Sequence, residues 1–414
     1  MDSQKRPKGI ENYDDRITNL PDDLKSNILE RLPLEEAVRT SFLSRKWRYT
    51  WASIPNLDFD VYFVKAPKLT KFIDMVLLLH QGPICKFYLS IKDLTVVPIE
   101  RWILVLSRNG LEEINIRCYS IWRMPSCFFT IQSLKTVFLQ DCILKLPHTF
   151  CGLKLLQSLH LDSCTISDDD FEKLVSCCPL LENLYLLFIS VSAVKINSPN
   201  LKLVQIYGGI DLKYIHLITP ALIEADLSFL ELSYGKIGYG KCLIDMFGSL
   251  SKIERLHLGS GVIQYLKRGS NLELPLKFDH LKELYMQLYV EDRNEAKFAF
   301  SLLQNAPNLQ CLRLVTCPIG FDALVPIGTF WDLATHKIVF DHLKFASIKY
   351  CGSVTESGLL PVRLLLSAAP LLEKMHIINY RKDFEFLKKL VSFKRASNEA
   401  EILLFDSVED LFFR

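Results

Sequence analysis

From residue 84 onward the chain repeats one arrangement of apolar and polar positions: apolar, two residues, apolar, one residue, apolar. It reads ICKFYL from Ile84, LEEINI from Leu111, LKTVFL from Leu134, LQSLHL from Leu156, LENLYL from Leu181 and LKLVQI from Leu201. LIEADL from Leu222, IERLHL from Ile253, LKELYM from Leu281, LQCLRL from Leu309, LKFASI from Leu343 and LEKMHI from Leu372 continue it. The alternation that ends each copy predicts a strand with one buried face. Between copies, DDDFEKLVSCC, EAKFAFSLLQNA and VRLLLSAA carry helical periodicity. Ahead of the repeats the pattern changes. Leu24, Ile28 and Leu32 recur every four residues and predict a helix with an apolar stripe. Pro21 stands where a helix can start, because its missing N–H would have no partner there. Asp22 and Asp23 suit the dipole of the first turn, and Pro33 ends the helix at the residue before it. A second helix from Leu34 carries Ala37, Val38 and Ser41, and Ser44 reads as the cap of a third holding Trp47 and Trp51. Three helices this short cannot bury the stripe among themselves, so another surface must cover it.

Copies of the repeat start 20 to 34 residues apart. An apolar triplet alone proves little, since in so apolar a chain it arises by chance about one time in eight. Two further markers share its register. A proline lies two residues before the first apolar position at Pro179, Pro199, Pro220, Pro307 and Pro370, where it sets the chain extended before the strand. A cysteine lies three residues after the last apolar position at Cys142, Cys164, Cys317 and Cys351, as a small side chain tucked under the turn that leaves the strand. Together these predict an α/β fold: an irregular, curved leucine-rich-repeat solenoid with a parallel concave sheet and a partly helical convex side. Gly208-Gly209 and the stretch from Tyr234 to Gly240 mark connections too short or irregular for helices. Each repeat buries its apolar face only against its neighbours, so both ends need caps. The N-terminal helices supply one cap; Phe384, Phe386, Leu387 and ILLF from Ile402 supply the other.

Leu20-Pro21, Ile28-Leu29, Leu32-Pro33 and then SFLSRKWRYTW resemble the F-box of plant F-box proteins. FDHLKFASIKYCGSVTESGLLPVRLLLSAAPLLEKMHI, followed by FKRASNEAEILLF, is similar to the FBD segment that such proteins carry after their repeats. That segment reads equally as a divergent terminal pair of repeats. The resemblance divides the chain into a tail over residues 1–15, an F-box over 16–58, a link over 59–83, leucine-rich repeats over 84–338 and an FBD-like end over 339–414. It implies a substrate-recognition subunit of an SCF-type (Skp–cullin–F-box) ubiquitin ligase that acts by proximity rather than chemistry. Leu20, Pro21, Leu24, Ile28, Leu29, Leu32, Pro33, Val38, Leu43 and Trp47 are then the residues facing a Skp-type adaptor, which joins the chain to a cullin. A repeat scaffold acting outside a ubiquitin ligase shares every repeat feature and stays open as an alternative.

The exposed strand position runs Asn115, Phe138, His160, Tyr185, Gln205, Asp226, His257, Tyr285, Arg313, Ser347, His376. Aromatic residues and Arg anchor protein interfaces, which makes Phe138, Tyr185, Tyr285 and Arg313 candidate contacts for a target protein. Catalysis has no candidates: there is no phosphate-binding glycine loop, G-x-S-x-G or H-E-x-x-H motif. Asp168, Asp169 and Asp170 open a helix and read as capping. Metal binding is not expected either, because the cysteines lack CxxC or Cys/His spacing. His160 and His257 lie four repeats apart, or about 19 Å, too far to share an ion, and read with His376 as isolated solvated histidines. No cofactor is implied. A composition of 49% apolar and 23% charged residues with net charge +2 predicts a globular protein without a broad nucleic-acid surface. No apolar run reaches membrane-spanning length, and the MDSQKRPKG start lacks the core of a secretion signal. Twelve cysteines without an export signal point to reduced thiols and a cytoplasmic or nuclear location.

Overall fold

In a computed structural model the described residues are 17, 19–60, 66–93, 98–208, 215–229, 246–250, 252–267, 277–290, 292–316, 338–352, 354, 357–379 and 384–405. The expected tail over residues 1–15, Cys317 and the stretch 234–240 lie outside them. The chain forms two compact units, residues 1–141 and 142–414.

In the first unit, helix α1 (Asp22–Leu29) starts on Pro21, whose carbonyl accepts from the amides of Leu24 and Lys25 at 3.1 Å. Pro33 caps α2 (Leu34–Arg39), which tightens into a 3-10 turn over Thr40–Phe42. The expected third α-helix is absent. Trp47 donates to Ser44, Thr50 to Trp47, Ala52 to Tyr49 and Ile54 to Trp51, each backbone bond spanning three residues. A three-residue turn suits this segment because it brings both indoles inward: Trp47 and Trp51 are each 2% exposed. Ser44 caps nothing, and its hydroxyl is buried without a hydrogen-bond partner.

Strands β1 (Asn56–Asp60), β2 (Lys86–Ile91), β3 (Glu113–Cys118) and β5 (Thr136–Gln140) follow as one parallel ladder, with a two-residue strand β4 (Trp122–Arg123) beside the turn after β3. Leu57 pairs with Phe87 and Phe59 with Leu89. Residue 58, the expected end of the F-box, falls inside this strand, and the link over 59–83 contains a helix, α3 (Ala66–Leu79). The first repeat opens at Ile54, whose Ile54-x-x-Leu57-x-Phe59 spacing is the triplet itself. From Cys85 and Glu112 to Gln310 and Lys344, the carbonyl after the first apolar position takes two amides from the next repeat, and this bond already runs from Cys85 and Lys86 to Pro55. Helix α4 (Ile99–Leu106) covers the core side with Trp102, whose indole donates to Asp74 at 2.8 Å.

The second unit continues the design. Its ladder runs β7 (Ser158–Asp162), β8 (Asn183–Leu187), β10 (Leu203–Gly208), β12 (Glu224–Phe229) and β13 (Arg255–Leu258). It goes on through β14 (Glu283–Leu288), β15 (Cys311–Thr316), β16 (Phe345–Tyr350), β17 (Lys374–Ile378) and β18 (Glu401–Phe405). Short strands β6 (Cys142–Ile143), β9 (Val194–Asn197) and β11 (Ile215–Ile218) lie outside this ladder. Every apolar position of the twelve triplets, in both units, is at most 4% exposed. Each large side chain so removed from water contributes roughly 1.5–3 kcal/mol to the stability of its unit. The three predicted helices form as Asp168–Ser176, Arg293–Gln304 and Leu360–Ala368. The FBD-like segment supplies β16 to β18 in register with the repeats before it, and so builds as further repeats of the same ladder.

The markers work differently from expectation. Each marker proline is the second residue of a turn closed by the first apolar residue, as in Leu181 N–H to Cys178 O at 3.2 Å and Leu222 N–H to Thr219 O at 3.1 Å. Its fixed φ shapes the turn rather than extending the chain. Cys142 and Cys164 are buried, each following a left-handed residue (Asp141 and Ser163, both φ 52), whereas Cys351 is exposed. Cys351 is thus not a tucked side chain. Gly152 has φ 102, and a Cβ there would lie 1.9 Å from the Cys177 carbonyl oxygen, so only glycine fits.

Candidate functional site

The predicted residues lie on the N-terminal helical module and on the sheet faces of the two units. On α1, Leu24 and Ile28 point away from the core at 49% and 42% exposure, while Lys25 and Leu29, one position further along, point inward at 4% and 0%. Lys25 is held by Asp22 at 3.0 Å and buries its stem. Leu32 and Leu43 are 38% and 63% exposed, Pro21 and Pro33 are exposed, and Leu20 and Val38 are half-buried. Leu29 and Trp47 are corrected: both are core residues, with the Trp47 indole donating to the Ile17 carbonyl at 3.3 Å, and they have no surface to offer a partner. Sequence reading passed over Phe42, which is 91% exposed on the 3-10 turn beside Leu43. The stripe that seemed to need a cover stands in water. A run of exposed large apolar side chains on so small a module marks a docking surface.

Beside this module a cavity of about 860 Å³ is lined by Glu30, Glu35, Glu36, Asp58, Asp60 and Phe72, among others. Burial raises the Asp58 carboxyl above its ordinary range, with the Asp60 charge adding to it.

The sheet faces opposite the triplets hold the remaining predicted residues in each unit. In the first unit Phe138 pairs in register with Asn115, and the Arg117 guanidinium lies 5.0 Å from the Phe138 ring and 5.6 Å from Tyr88. In the second unit His160, Tyr185, Gln205, Asp226, His257, Tyr285, Arg313, Ser347 and His376 are partners across successive strands, as the repeat register requires. The histidines are not isolated. His160 stacks on Tyr185 at 5.2 Å, His257 lies 3.8 Å from Asp226 and 5.4 Å from the Tyr285 ring, and His376 sits between Phe345 and Phe405. Burial, with help from Lys374, lowers the His376 imidazole below its ordinary value. Arg313 faces Glu283 at 3.6 Å and the Phe345 ring at 5.5 Å.

Among the described residues no group of three His, Cys, Asp or Glu side chains could hold a metal, and no helix is long and apolar enough to cross a membrane. Asp168 and Asp170 reach into adjacent connections, accepting from the amides of Ser192 (2.8 Å) and Leu146 (3.2 Å).

Residues 17–59 match the family model of the F-box domain, and residues 99–314 match the model described as FBD-associated F-box protein At5g56370, LRR repeats. The chain is similar to the F-box/FBD/LRR-repeat protein At1g13570 of Arabidopsis thaliana, 32% identical over 94% of this chain and 98% of that protein. It is 30% identical to the F-box/LRR-repeat protein At3g59200 of the same plant, over 72% of this chain and 69% of that one. The F-box/FBD/LRR-repeat protein At1g51370, also from Arabidopsis thaliana, is 24% identical over 95% and 97% of the two chains.

Proposed function

Because the chain belongs to the F-box/FBD/LRR-repeat protein family, we propose that it is the substrate-recognition subunit of an SCF-type ubiquitin ligase. The observation that carries this reading is the outward stripe of α1. Leu24 and Ile28 stand a helical turn apart on a module whose own core is already filled by Leu29, Trp47 and Trp51. Such a surface gains stability only by covering a partner's apolar groove, and F-box domains typically bind Skp-type adaptors. The adaptor brings the cullin, and the sheet face of the repeats holds the target. No bond is made or broken by this chain: it raises the effective concentration of target lysines near the ubiquitin-charged enzyme. We place this activity in the cytoplasm or nucleus, where free thiols persist.

Co-purification of the full chain with a Skp-type adaptor and cullin tests the reading. The complex is expected to form and to survive gel filtration. A chain that folds but recovers neither partner would belong to a repeat scaffold working outside a ubiquitin ligase.

A further inference from the structure

The open sheet face of the second unit is not uniform in charge. On β7, β8, β10 and β12 the residues opposite the triplets are Ser158, His160 and Asp162; Asn183, Tyr185 and Leu187; Leu203, Gln205 and Tyr207; and Glu224, Asp226 and Ser228. These four strands present three carboxylates there and neither Lys nor Arg. Among the described residues Glu224 meets the Arg255 guanidinium of the next strand at 2.7 Å, and Asp226 lies 3.8 Å from the His257 imidazole. Asp226 accepts from the Gln205 amide at 3.2 Å and the Ser228 hydroxyl at 2.9 Å, and Asp162 accepts from the Ser163 hydroxyl at 3.0 Å; these donors are neutral. From β13 onward the same face carries the cations Arg255, Arg313, Lys349 and Lys374 beside the carboxylates of Glu283 and Glu401.

We propose that β7, β8, β10 and β12 receive a basic segment of the target protein, with one Lys or Arg side chain seated over Gln205 between Tyr185, Tyr207 and Asp226. This rests on the reading that the repeats hold the target. Gln205 pairs in register with Tyr185 on one side and Asp226 on the other. Strands stand about 4.8 Å apart, so Tyr185 and Asp226 flank Gln205 about 9.6 Å from each other, and a cation lying over the Gln205 side chain is within reach of both. Tyr207, 36% exposed and packed edge-on against Phe188 at 5.0 Å, closes a third side. Aromatic faces attract a cation, and the carboxylate gives it a hydrogen-bonded counter-charge. His257, Arg255 and Glu224 are the nearest titratable neighbours. Arg255 is already held by Glu224, with Glu283 and Glu254 adding to it, and so does not satisfy Asp226.

A random-peptide phage library panned on the immobilised full chain tests this. Enriched peptides are expected to share a Lys or Arg, and a synthetic copy with that residue changed to Gln should bind at least tenfold more weakly. Asp226→Asn keeps one oxygen to accept from Gln205 and an amide that can donate to the Ser228 hydroxyl, but removes the charge, and should cost a similar factor that shrinks at high salt. Tyr185→Ala should weaken binding too, while Lys374→Gln should not. Enrichment of acidic or purely apolar peptides, no enrichment, or unchanged binding by Asp226→Asn overturns the proposal. Adaptor binding measured on the same proteins separates the two readings. An adaptor-competent chain that selects no basic peptide sinks only the basic site; a chain that selects basic peptides but ignores the adaptor sinks only the ligase.

Discussion

Leucine and isoleucine do opposite things in two parts of this molecule. In the repeats, Leu184, Leu186 and Ile348 are wholly shielded from water; on the N-terminal module, Leu24, Ile28, Leu32 and Leu43 are 38–63% exposed. The side chains are alike, so the difference is one of geometry. A strand in a parallel ladder has a neighbour on each side and covering segments over one face, so its alternate positions are enclosed. Helix α1 has a core on one side only, and its four-residue stripe lies one position away from the line that meets that core. The lesson is that apolar patterning reports which residues share a face, and only packing reports whether that face is covered.

The contrast can be broken most sharply in the core. Leu184→Ala should cost about 2–5 kcal/mol in urea-induced unfolding, whereas Ile28→Ala should change stability by no more than about 0.5 kcal/mol. Equal effects would mean that α1 is not exposed as described. Next in size is Gly152→Ala, which adds a Cβ against the Cys177 carbonyl at a left-handed φ and should cost about 1–3 kcal/mol. A thermal melt that does not move would contradict the close approach. The smallest effect concerns pH. The His376 imidazole is harder to protonate in the folded chain than in the unfolded one, with Lys374 and Arg313 opposing its charge and Glu401 favouring it. The unfolded state therefore takes up more protons below about pH 6.5, and the stability linked to His376 is present above that value and lost as pH falls. His376→Gln should flatten the pH dependence of unfolding in that window; an unchanged slope would assign it to other groups.

Much of the fold was legible because the repeat is redundant: twelve triplets in one register outvote any ambiguous one. The segment from Ile54 obeys the same spacing but was missed, since Pro55 and the acidic Asp58 and Asp60 make it look like a linker. Ser44 looks like a helix cap by residue type, yet the indoles that follow are better buried by three-residue turns. The resemblance gives Leu29 and Trp47 to the adaptor side, but a motif cannot say which of two adjacent lines on a short helix meets the core, nor that a three-residue turn carries Trp47 inward. The charge division of the open sheet face is invisible within a single repeat. Asp162, Tyr207 and Asp226 join one surface only when four strands are laid side by side in register.

The central claim is that the exposed stripe of α1 binds a Skp-type adaptor. Isothermal titration of the purified full chain with that adaptor tests it most directly, with wild type beside the Leu24→Ala/Ile28→Ala double variant. At roughly 1.5–3 kcal/mol for each buried side chain, the variant should bind at least tenfold more weakly while melting at the wild-type temperature. Equal affinities, or no heat of binding from a folded wild type, would contradict the account.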